Sequence, residues 1–345
     1  MKLNFSSSDL EKVNKLLETK EINISIADML MNFYQFDLSK IKVHSNDEYL
    51  SIFMDALELD SEDEENISFV NSYIGENLKK LDDSIFLNNP YFKKVRPQLQ
   101  KIGKYELCLD HFYPNQAFAY DDVEIDENNS FVEKYKIGYF DHKVNFLALS
   151  YNKEIWMNIS PNEINTMQPS IDKAHGDVLV YGLGLGYYPF MISLKENVNK
   201  IIIVEKDKNI IDIFNKYLLC FFPQKQKIQI IQSDAFEYEK NHIEHYDYTF
   251  VDLWHNPVDG LPLYLDFKKI ERKDTEYSYW LDKSIKAMYR RCFLTVLEEQ
   301  INGSKDSDYL NAENDIDKII NGIYFKTKNL EINCFDKLMK ILKEE

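Results

Sequence analysis

The segment that most restricts the fold is Val178–Tyr187, which reads Val-Leu-Val-Tyr-Gly-Leu-Gly-Leu-Gly-Tyr. A short apolar run followed by closely spaced glycines predicts a buried strand that turns sharply into a helix. Pro189 falls in the first turn of that predicted helix, where proline is tolerated. This arrangement is typical of the first unit of a parallel α/β sheet, whose ligands bind at the carboxyl ends of the strands.

Further apolar runs follow the glycine segment and alternate with helical patterns. The predicted strands are Ile201–Val204, Ile228–Gln232 and Tyr248–Leu253, and the predicted helices between them are Pro189–Asn197 and Asn209–Leu219. Strands separated by helices favour a doubly wound parallel sheet, because a parallel pair needs a long crossover connection. The predicted fold class is therefore α/β with a Rossmann-like sheet.

The patterns on either side of the sheet divide the chain into three predicted parts. Residues 1–130 are predicted to form a mainly helical N-terminal domain, residues 131–170 a small antiparallel β unit, and residues 171–345 the Rossmann-like domain with a helical C-terminal extension. The strands predicted in the β unit are Tyr135–Phe140, Val144–Ser150 and Glu154–Asn158. The helices predicted in the extension are Tyr279–Ile301 and Asn333–Glu345.

Each of the last three predicted strands is followed by an acid. Glu205 lies about twenty residues after the glycine turn, the spacing of an acid that accepts hydrogen bonds from a ribose diol. The alternative for Glu205 is a solvent-facing acid at a strand end. Asp234 is predicted to accept from an adenine amine, or to cap the following helix, and these roles are compatible. Asp252 is predicted to orient or deprotonate an acceptor group.

Two aromatic side chains follow Asp252 in the segment Val251-Asp-Leu-Trp-His-Asn-Pro257. Trp254 is predicted to pack on a cationic or aromatic part of the acceptor. His255 is a second catalytic candidate because histidine is a common general acid or base, with an exposed loop histidine as the alternative.

The glycine pattern disfavours two common phosphate-containing ligands. A dinucleotide fingerprint requires a third glycine where this chain has Tyr187, and its bulk opposes close packing of helix and strand beside a pyrophosphate. No lysine follows the glycines at the spacing of a nucleotide-triphosphate loop. S-adenosylmethionine contains a nucleoside and no phosphate, so it is the cofactor that these residues favour.

Composition limits the partners and the compartment. The chain has 345 residues and a net charge of −17, and its lysines are in general interleaved with acids, which disfavours nucleic acid as a partner. A small molecule or a protein is the expected acceptor. Four widely spaced cysteines argue against a disulfide framework or a zinc site. With no apolar leader or membrane span recognised, a reducing cytoplasm is the expected location.

These elements, in this order, resemble the class I S-adenosylmethionine-dependent methyltransferases, and within them the spermidine synthase-like branch. The resemblance covers about 100 residues, from Glu154 to Pro262. It implies that Asp252 is the catalytic acid, Glu205 the ribose acid and Asp234 the adenine acid. The sequence departs from the family at Val180, where methyltransferases usually carry an acid, and at Leu185, where spermidine synthases carry an aspartate.

The chain is therefore predicted to be a methyltransferase that uses S-adenosylmethionine. The alternatives are aminopropyl transfer from the decarboxylated cofactor and a regulatory protein that binds the cofactor without turnover. The predicted cofactor contacts are Tyr181, Gly182, Leu183, Gly184, Gly186, Tyr187, Glu205, Lys206, Asp234, Ala235, Phe236 and Asp252. The predicted catalytic residues are Asp252, Trp254 and His255.

Overall fold

The structure is a computed structural model that describes residues 1–344. Its α-helices are α1 (Ser7–Phe33), α2 (Asn46–Ala56), α3 (Glu64–Tyr73), α4 (Ser84–Leu87), α5 (Pro90–Lys94), α6 (Pro161–Lys173), α7 (Tyr187–Ser193), α8 (Lys208–Ile213), α9 (Ala235–Asn241), α10 (Pro257–Lys268), α11 (Asp282–Ile301), α12 (Asp315–Thr327) and α13 (Phe335–Glu344). The predicted C-terminal helix corresponds to α13, and Glu345 lies outside the described residues.

The strands differ in length, and the longest are β4, β9 and β12 with 8 residues each. They are β1 (Lys2–Leu3), β2 (Leu78–Lys80), β3 (Gln100–Ile102), β4 (Tyr105–Phe112), β5 (Phe118–Ala119), β6 (Glu124–Asp126), β7 (Val132–Lys134), β8 (Ile137–Tyr139), β9 (Val144–Tyr151), β10 (Glu154–Asn158), β11 (Gly176–Tyr181), β12 (Val198–Glu205), β13 (Ile228–Gln232), β14 (Tyr248–Val251), β15 (Glu276–Tyr279) and β16 (Glu331–Ile332).

A parallel sheet with helices in its crossovers forms the C-terminal half, as predicted. Its strand order is β13-β12-β11-β14-β15, and every pair is parallel. The central strands are buried on both faces, which explains why they read as continuous apolar runs rather than as alternating patterns. The order reverses between β11 and β14, so the carboxyl ends of these two strands border a crevice of the kind that holds ligands.

The strand β15 was not predicted, since the sequence after Gly260 indicated helices. It reads Glu-Tyr-Ser-Tyr, lies at the edge of the sheet and is only partly buried, so it lacks the apolar run that marks the inner strands. The following helix begins at Asp282 rather than at Tyr279, because Tyr279 pairs in β15 and Leu281 takes a left-handed backbone conformation with φ of 53°.

The antiparallel sheet has the order β10-β9-β4-β3, and it differs from the predicted β unit. The hairpin of β9 and β10 is confirmed, with its turn at Asn152 and Lys153. The other neighbour of β9 is β4, which pairs with it over eight positions from Tyr105 to Phe112. Strand β8 pairs instead with β2 and β5. The β structure thus begins before residue 131, within the range predicted as mainly helical.

The N-terminal helices pack into two cores. The first half of α1 contributes Val13 and Leu16 to the large core of the molecule, while its second half, with Ile26 and Phe33, joins α2 and α3 in a smaller core. The long helix α1 therefore links the two cores. Among the described residues, none of the helices combines the length and apolarity needed to cross a bilayer.

Candidate functional site

The glycine loop begins where β11 comes closest to β14. Gly182 has a φ of 96°, and a Cβ atom on it would lie 2.0 Å from the backbone oxygen of Asp252. Its N–H donates to the Val204 oxygen of β12 at 3.0 Å, and the Asp252 N–H donates to the Tyr181 oxygen at 2.9 Å. Only glycine fits this position, so the loop is held between the ends of three strands.

The other two glycines of the loop have different surroundings. Gly184 has a φ of 52° with open space on its Cβ side, so a ligand is able to approach its backbone. Gly186 is buried, and a Cβ there would lie 2.4 Å from Cε2 of Phe214. Gly182 and Gly184 therefore suit the predicted ligand contact, whereas Gly186 serves the packing of the loop on α8 and the turn that follows it.

The side chains between the glycines point into the protein. Leu183, Leu185 and Tyr187 are buried, and the Tyr187 hydroxyl accepts from Asn89 Nδ2 at 2.9 Å. The Tyr91 hydroxyl of α5 donates to the Leu185 oxygen at 2.7 Å. The structure thus places Tyr187 against the N-terminal half of the chain, and only backbone atoms of the loop are left to contact a cofactor.

Glu205 lies directly beside the loop. Its carboxylate accepts from the Leu183 N–H at 3.2 Å and from the Asp207 N–H at 2.8 Å, one bond to each oxygen. Each oxygen retains a second acceptor site, so the carboxylate is still able to accept from a diol. Lys206 is exposed next to it. Glu205 thus ends the second strand of the sheet, as the sequence predicted, and its contact with a ribose stays a prediction.

Asp234 caps α9, the helix that follows β13. Its Oδ1 atom accepts from the N–H groups of Phe236 at 2.9 Å and Glu237 at 3.1 Å, and the side chain is exposed. Ala235 is buried, and the Phe236 ring packs edge-on against Phe267 with centroids 5.3 Å apart. The capping role of Asp234 is thus present in the structure, and both of these hydrogen bonds use its Oδ1 atom.

Asp252 and Glu163 form an acidic pair that the sequence did not predict. Burial, reinforced by the negative charge of Glu205, raises the pKa of Asp252 to about 7. Burial, reinforced by the negative charge of Asp252, raises the pKa of Glu163 in the first turn of α6 well above its usual range. Because the pKa values of Asp252 and Glu163 are both raised, these two carboxyl groups bind protons more tightly than isolated acids do.

Trp254 lies in the core rather than at an acceptor surface. Its indole N–H donates to the Trp280 oxygen at 3.2 Å, and the ring stacks near Tyr279 with centroids 6.2 Å apart. A Cβ on Gly260 would lie 2.8 Å from the indole Cγ atom. The predicted acceptor contact is corrected for Trp254, because the ring is enclosed between α10 and β15.

His255 is exposed and connects the parallel sheet with the antiparallel one. Its Nδ1 atom lies 3.1 Å from Asp259, and its Nε2 atom accepts from the Trp156 indole N–H at 2.8 Å. An acceptor role at Nε2 requires the proton to be on Nδ1, which fixes a neutral tautomer. His255 thereby serves to hold β10 over the loop after β14.

Tyr181 and Tyr105 complete the surroundings of the loop. The Tyr181 side chain is buried and its hydroxyl donates to Glu239 at 2.5 Å, so only its backbone lies near the crevice. Tyr105 of β4 donates to Asp207 Oδ2 at 2.9 Å and packs near Trp156 with centroids 5.7 Å apart. The antiparallel sheet therefore covers the carboxyl edge of the parallel sheet at the position of the candidate site.

Sequence reasoning missed Glu163, Tyr105 and Trp156 because they come from segments outside the glycine-strand pattern. The available signal was weak: Glu163 stands in the first turn after Ser160-Pro161, and Trp156 lies in a predicted strand with no partner identified. No group of histidine, cysteine and acidic residues in the described part of the chain is arranged to hold a metal ion.

Comparison with known proteins gives only structural neighbours. No family model and no curated protein matches the chain. A spermidine synthase from Thermotoga maritima is 16% identical with a TM-score of 0.31, over 43% of this chain and 58% of its own length. A spermidine synthase in complex with the transition state analogue AdoDATO is 16% identical with a TM-score of 0.30 and the same coverage. A proposed O-methyltransferase from Klebsiella pneumoniae is 13% identical with a TM-score of 0.27, over 48% of this chain and 66% of its own length. The chain thus spans less than two thirds of the spermidine synthases that it matches.

Proposed function

We propose that the crevice between β11 and β14 binds S-adenosylmethionine and that the protein is a transferase acting on this cofactor, with methyl transfer as its reaction. The observation that carries the proposal is the position of Glu205, whose carboxylate contacts the backbone of the glycine loop. An acid that faces a glycine turn from the neighbouring strand suits a nucleoside, because it accepts from the two ribose hydroxyls.

The backbone of Gly182 and Gly184 would carry the methionine end, Glu205 the ribose and Asp234 the adenine amine. Methyl transfer is a displacement at a sulfonium carbon, so positioning of the acceptor supplies much of the rate. Asp252 stands at the point where β14 meets the loop and would orient the acceptor. The acceptor itself would enter below the cover formed by Tyr105 and Trp156.

The acidic pair favours a second candidate reaction, aminopropyl transfer to an amine. Neither the Asp252 nor the Glu163 carboxylate has a hydrogen-bonding partner within residues 1–344, so both remain able to bind a cationic amine. A bound cation would favour the ionised form of both acids. Deprotonation of the amine by Asp252 would then generate the nucleophile. The buried Leu185, in place of an acid, opposes this reaction because the loop offers no carboxylate of its own.

Calorimetry on matched variants tests the cofactor. S-adenosylmethionine, S-adenosylhomocysteine and decarboxylated S-adenosylmethionine would each be titrated into the wild type, Glu205→Gln and Glu196→Gln. Glu196 is exposed and lies just before Val198, the first residue of β12, whereas Glu205 is its last residue. Glu196→Gln therefore controls for the loss of one charge. We expect Glu205→Gln to weaken binding by about tenfold, the effect of one hydrogen bond to a charged group, and Glu196→Gln to leave it unchanged.

The outcomes separate the candidates. Absence of binding by all three compounds to the folded wild type would refute the proposed cofactor. Tighter binding of the decarboxylated compound, weakened by Glu163→Gln, together with transfer of its aminopropyl group to an amine, would establish aminopropyl transfer in place of methyl transfer. Binding without transfer to any amine or protein acceptor would leave the regulatory alternative. Circular dichroism of each variant shows whether the loop contacts of Glu205 are needed for folding.

A further inference from the structure

The stretch of residues 84–105 differs from the rest of the chain in its charge. It contains five cationic residues and no aspartate or glutamate, in a protein with a net charge of −17. The cations are Lys93, Lys94, Arg96, Lys101 and Lys104, and all of them are exposed. None of them forms an ion pair with another of the described residues. The interleaving of lysines with acids that the sequence predicted does not hold within this stretch. Lys101 lies opposite Glu106 of β4, so the positive surface is concentrated at Lys93, Lys94 and Arg96.

An apolar groove of about 410 Å³ opens beside these cations. Its floor is a cluster of aromatic rings, in which Phe86 meets Phe92 edge-on with centroids 4.9 Å apart and stacks on Phe146 with centroids 6.0 Å apart. Its walls carry Leu99 and Leu109, which are 47% and 48% exposed. Large apolar side chains exposed together around a concave surface are typical of a binding site rather than of a solvated one.

The cations stand at the edge of this groove. Lys93 and Arg96 contribute to its lining, and both are exposed without an acidic partner. An apolar interior with a charged edge is the usual composition of a protein interface. We call the surface formed by these residues the basic groove.

We propose that the basic groove binds an acidic segment of another protein, with aliphatic side chains entering between Leu99 and Leu109 and carboxylates pairing with Lys93 and Arg96. Charge complementarity carries the choice of an acidic partner, because the groove is a positive surface on an acidic protein. The exposed apolar side chains are leucines, while the rings of Phe86 and Phe146 are buried below them. Single-stranded nucleic acid prefers exposed aromatic rings on which its bases stack, so these walls suit a peptide better.

The basic groove and the candidate cofactor site lie on different sides of α5. Tyr91 points from α5 to the glycine loop, where it bonds the Leu185 oxygen, whereas Phe92 and Lys93 line the groove. Peptide binding in the basic groove therefore does not depend on whether the candidate cofactor site is occupied. The two proposals can therefore fail separately.

Fluorescence anisotropy tests the groove with defined probes. The probe is a short labelled peptide that alternates glutamate with leucine, and the matched peptides carry lysine in place of glutamate or serine in place of leucine. We expect the glutamate–leucine peptide to bind about tenfold or more tightly than either matched peptide, and its affinity to fall with added salt. The double variant Lys93→Glu with Arg96→Glu should lose at least about tenfold in affinity.

A control variant reverses the same number of charges elsewhere. Lys240→Glu with Lys326→Glu changes two exposed lysines of α9 and α12 and should leave binding unchanged. Leu109→Ser keeps the charge, alters an exposed side chain and should weaken binding. No saturable binding of the glutamate–leucine peptide would overturn the proposal, as would equal binding of the serine peptide. Tighter binding of a single-stranded oligonucleotide at the same salt concentration would assign the groove to nucleic acid instead.

Discussion

Alanine substitutions in the glycine loop separate the stability of the loop from its proposed ligand contact. Gly184 and Gly303 both have positive φ, 52° and 87°, and open space on the Cβ side. An alanine at either position should lower the free energy of unfolding only by the cost of the left-handed backbone conformation, about 1–2 kcal/mol. Gly303 lies after α11, far along the chain from the loop, and so provides the matched control for backbone strain.

Alanine at Gly186 or at Gly182 should lower the free energy of unfolding by more than it does at Gly184, for a different reason in each case. At Gly186 the new methyl group meets Cε2 of the buried Phe214 at 2.4 Å and Cζ of Phe222 at 3.0 Å, so these core side chains must move to accept it. Overpacking of about 1–3 kcal/mol then adds to the backbone strain, for a total of roughly 2–5 kcal/mol. At Gly182 the methyl group meets the Asp252 backbone oxygen at 2.0 Å, which cannot move without separating β11 from β14. This substitution should cost more than about 4 kcal/mol, a large part of a typical domain's stability.

Urea unfolding followed by circular dichroism gives the order of stability, and calorimetry with S-adenosylmethionine gives the order of binding. We expect stability to fall from the wild type to Gly184→Ala and Gly303→Ala, then Gly186→Ala, then Gly182→Ala. Gly184→Ala should lose cofactor binding, whereas its matched control Gly303→Ala should keep it. Equal midpoints for Gly182→Ala and Gly184→Ala would refute the close approach of the two strand ends. Unchanged binding by folded Gly184→Ala would refute the ligand contact at the loop.

Asp252→Asn should remove a pH dependence of the free energy of unfolding, measured as urea midpoints at several pH values. The folded state raises the pKa of Asp252 from about 3.9 to about 7. The stability that this acid contributes is therefore fully present below about pH 3.9 and is lost as the pH rises through about 7. Tyr91→Phe should cost about 1–3 kcal/mol, because it leaves a buried carbonyl of the glycine loop without its donor, whereas Tyr113→Phe at an exposed ring should cost nothing measurable by the same method. Iodoacetamide at neutral pH should modify the exposed Cys220 first and Cys292 only after unfolding, because burial raises the pKa of the Cys292 thiol to about 11. Mass spectrometry of the labelled peptides gives the order of modification, and labelling of Cys292 before Cys220 would contradict this prediction.

The parallel sheet could be predicted from the sequence because its inner strands are buried on both faces. A run such as Ile201–Val204 is apolar at every position, and that pattern is visible without knowledge of its neighbours. Strands β4 and β15 could not be predicted in the same way. In β15 the polar and aromatic residues reflect an edge position, and in β4 the mixed sequence Tyr-Glu-Leu-Cys-Leu-Asp-His-Phe reflects pairing with β9 on one side. Such strands are specified by their partners rather than by their own composition.

The site shows the same division between local and long-range information. Glu205 could be placed because its role follows from a strand end at a fixed distance after a glycine turn. Trp254 was assigned to the acceptor side because it follows Asp252 in sequence, yet α10 and β15 enclose its ring. A position next to a strand end does not decide which way a large side chain points, because that depends on the element packed above it. The same limit hid Trp156, whose contact is with His255 on a distant loop.

The acidic pair bears on the choice between the two transfer reactions. Methyl transfer to a neutral acceptor needs no cluster of acids, since the departing sulfur becomes neutral and the positive charge moves to the acceptor. Burial and the charge of Glu205 nevertheless raise the pKa of Asp252, and burial and the charge of Asp252 raise the pKa of Glu163, so this arrangement destabilises the fold once these acids ionise. Perturbed acids of this kind concentrate at functional sites. If the proposed transferase function holds, a cationic amine lying beside these carboxylates would relieve the repulsion, so we expect an amine as the acceptor whichever group is transferred.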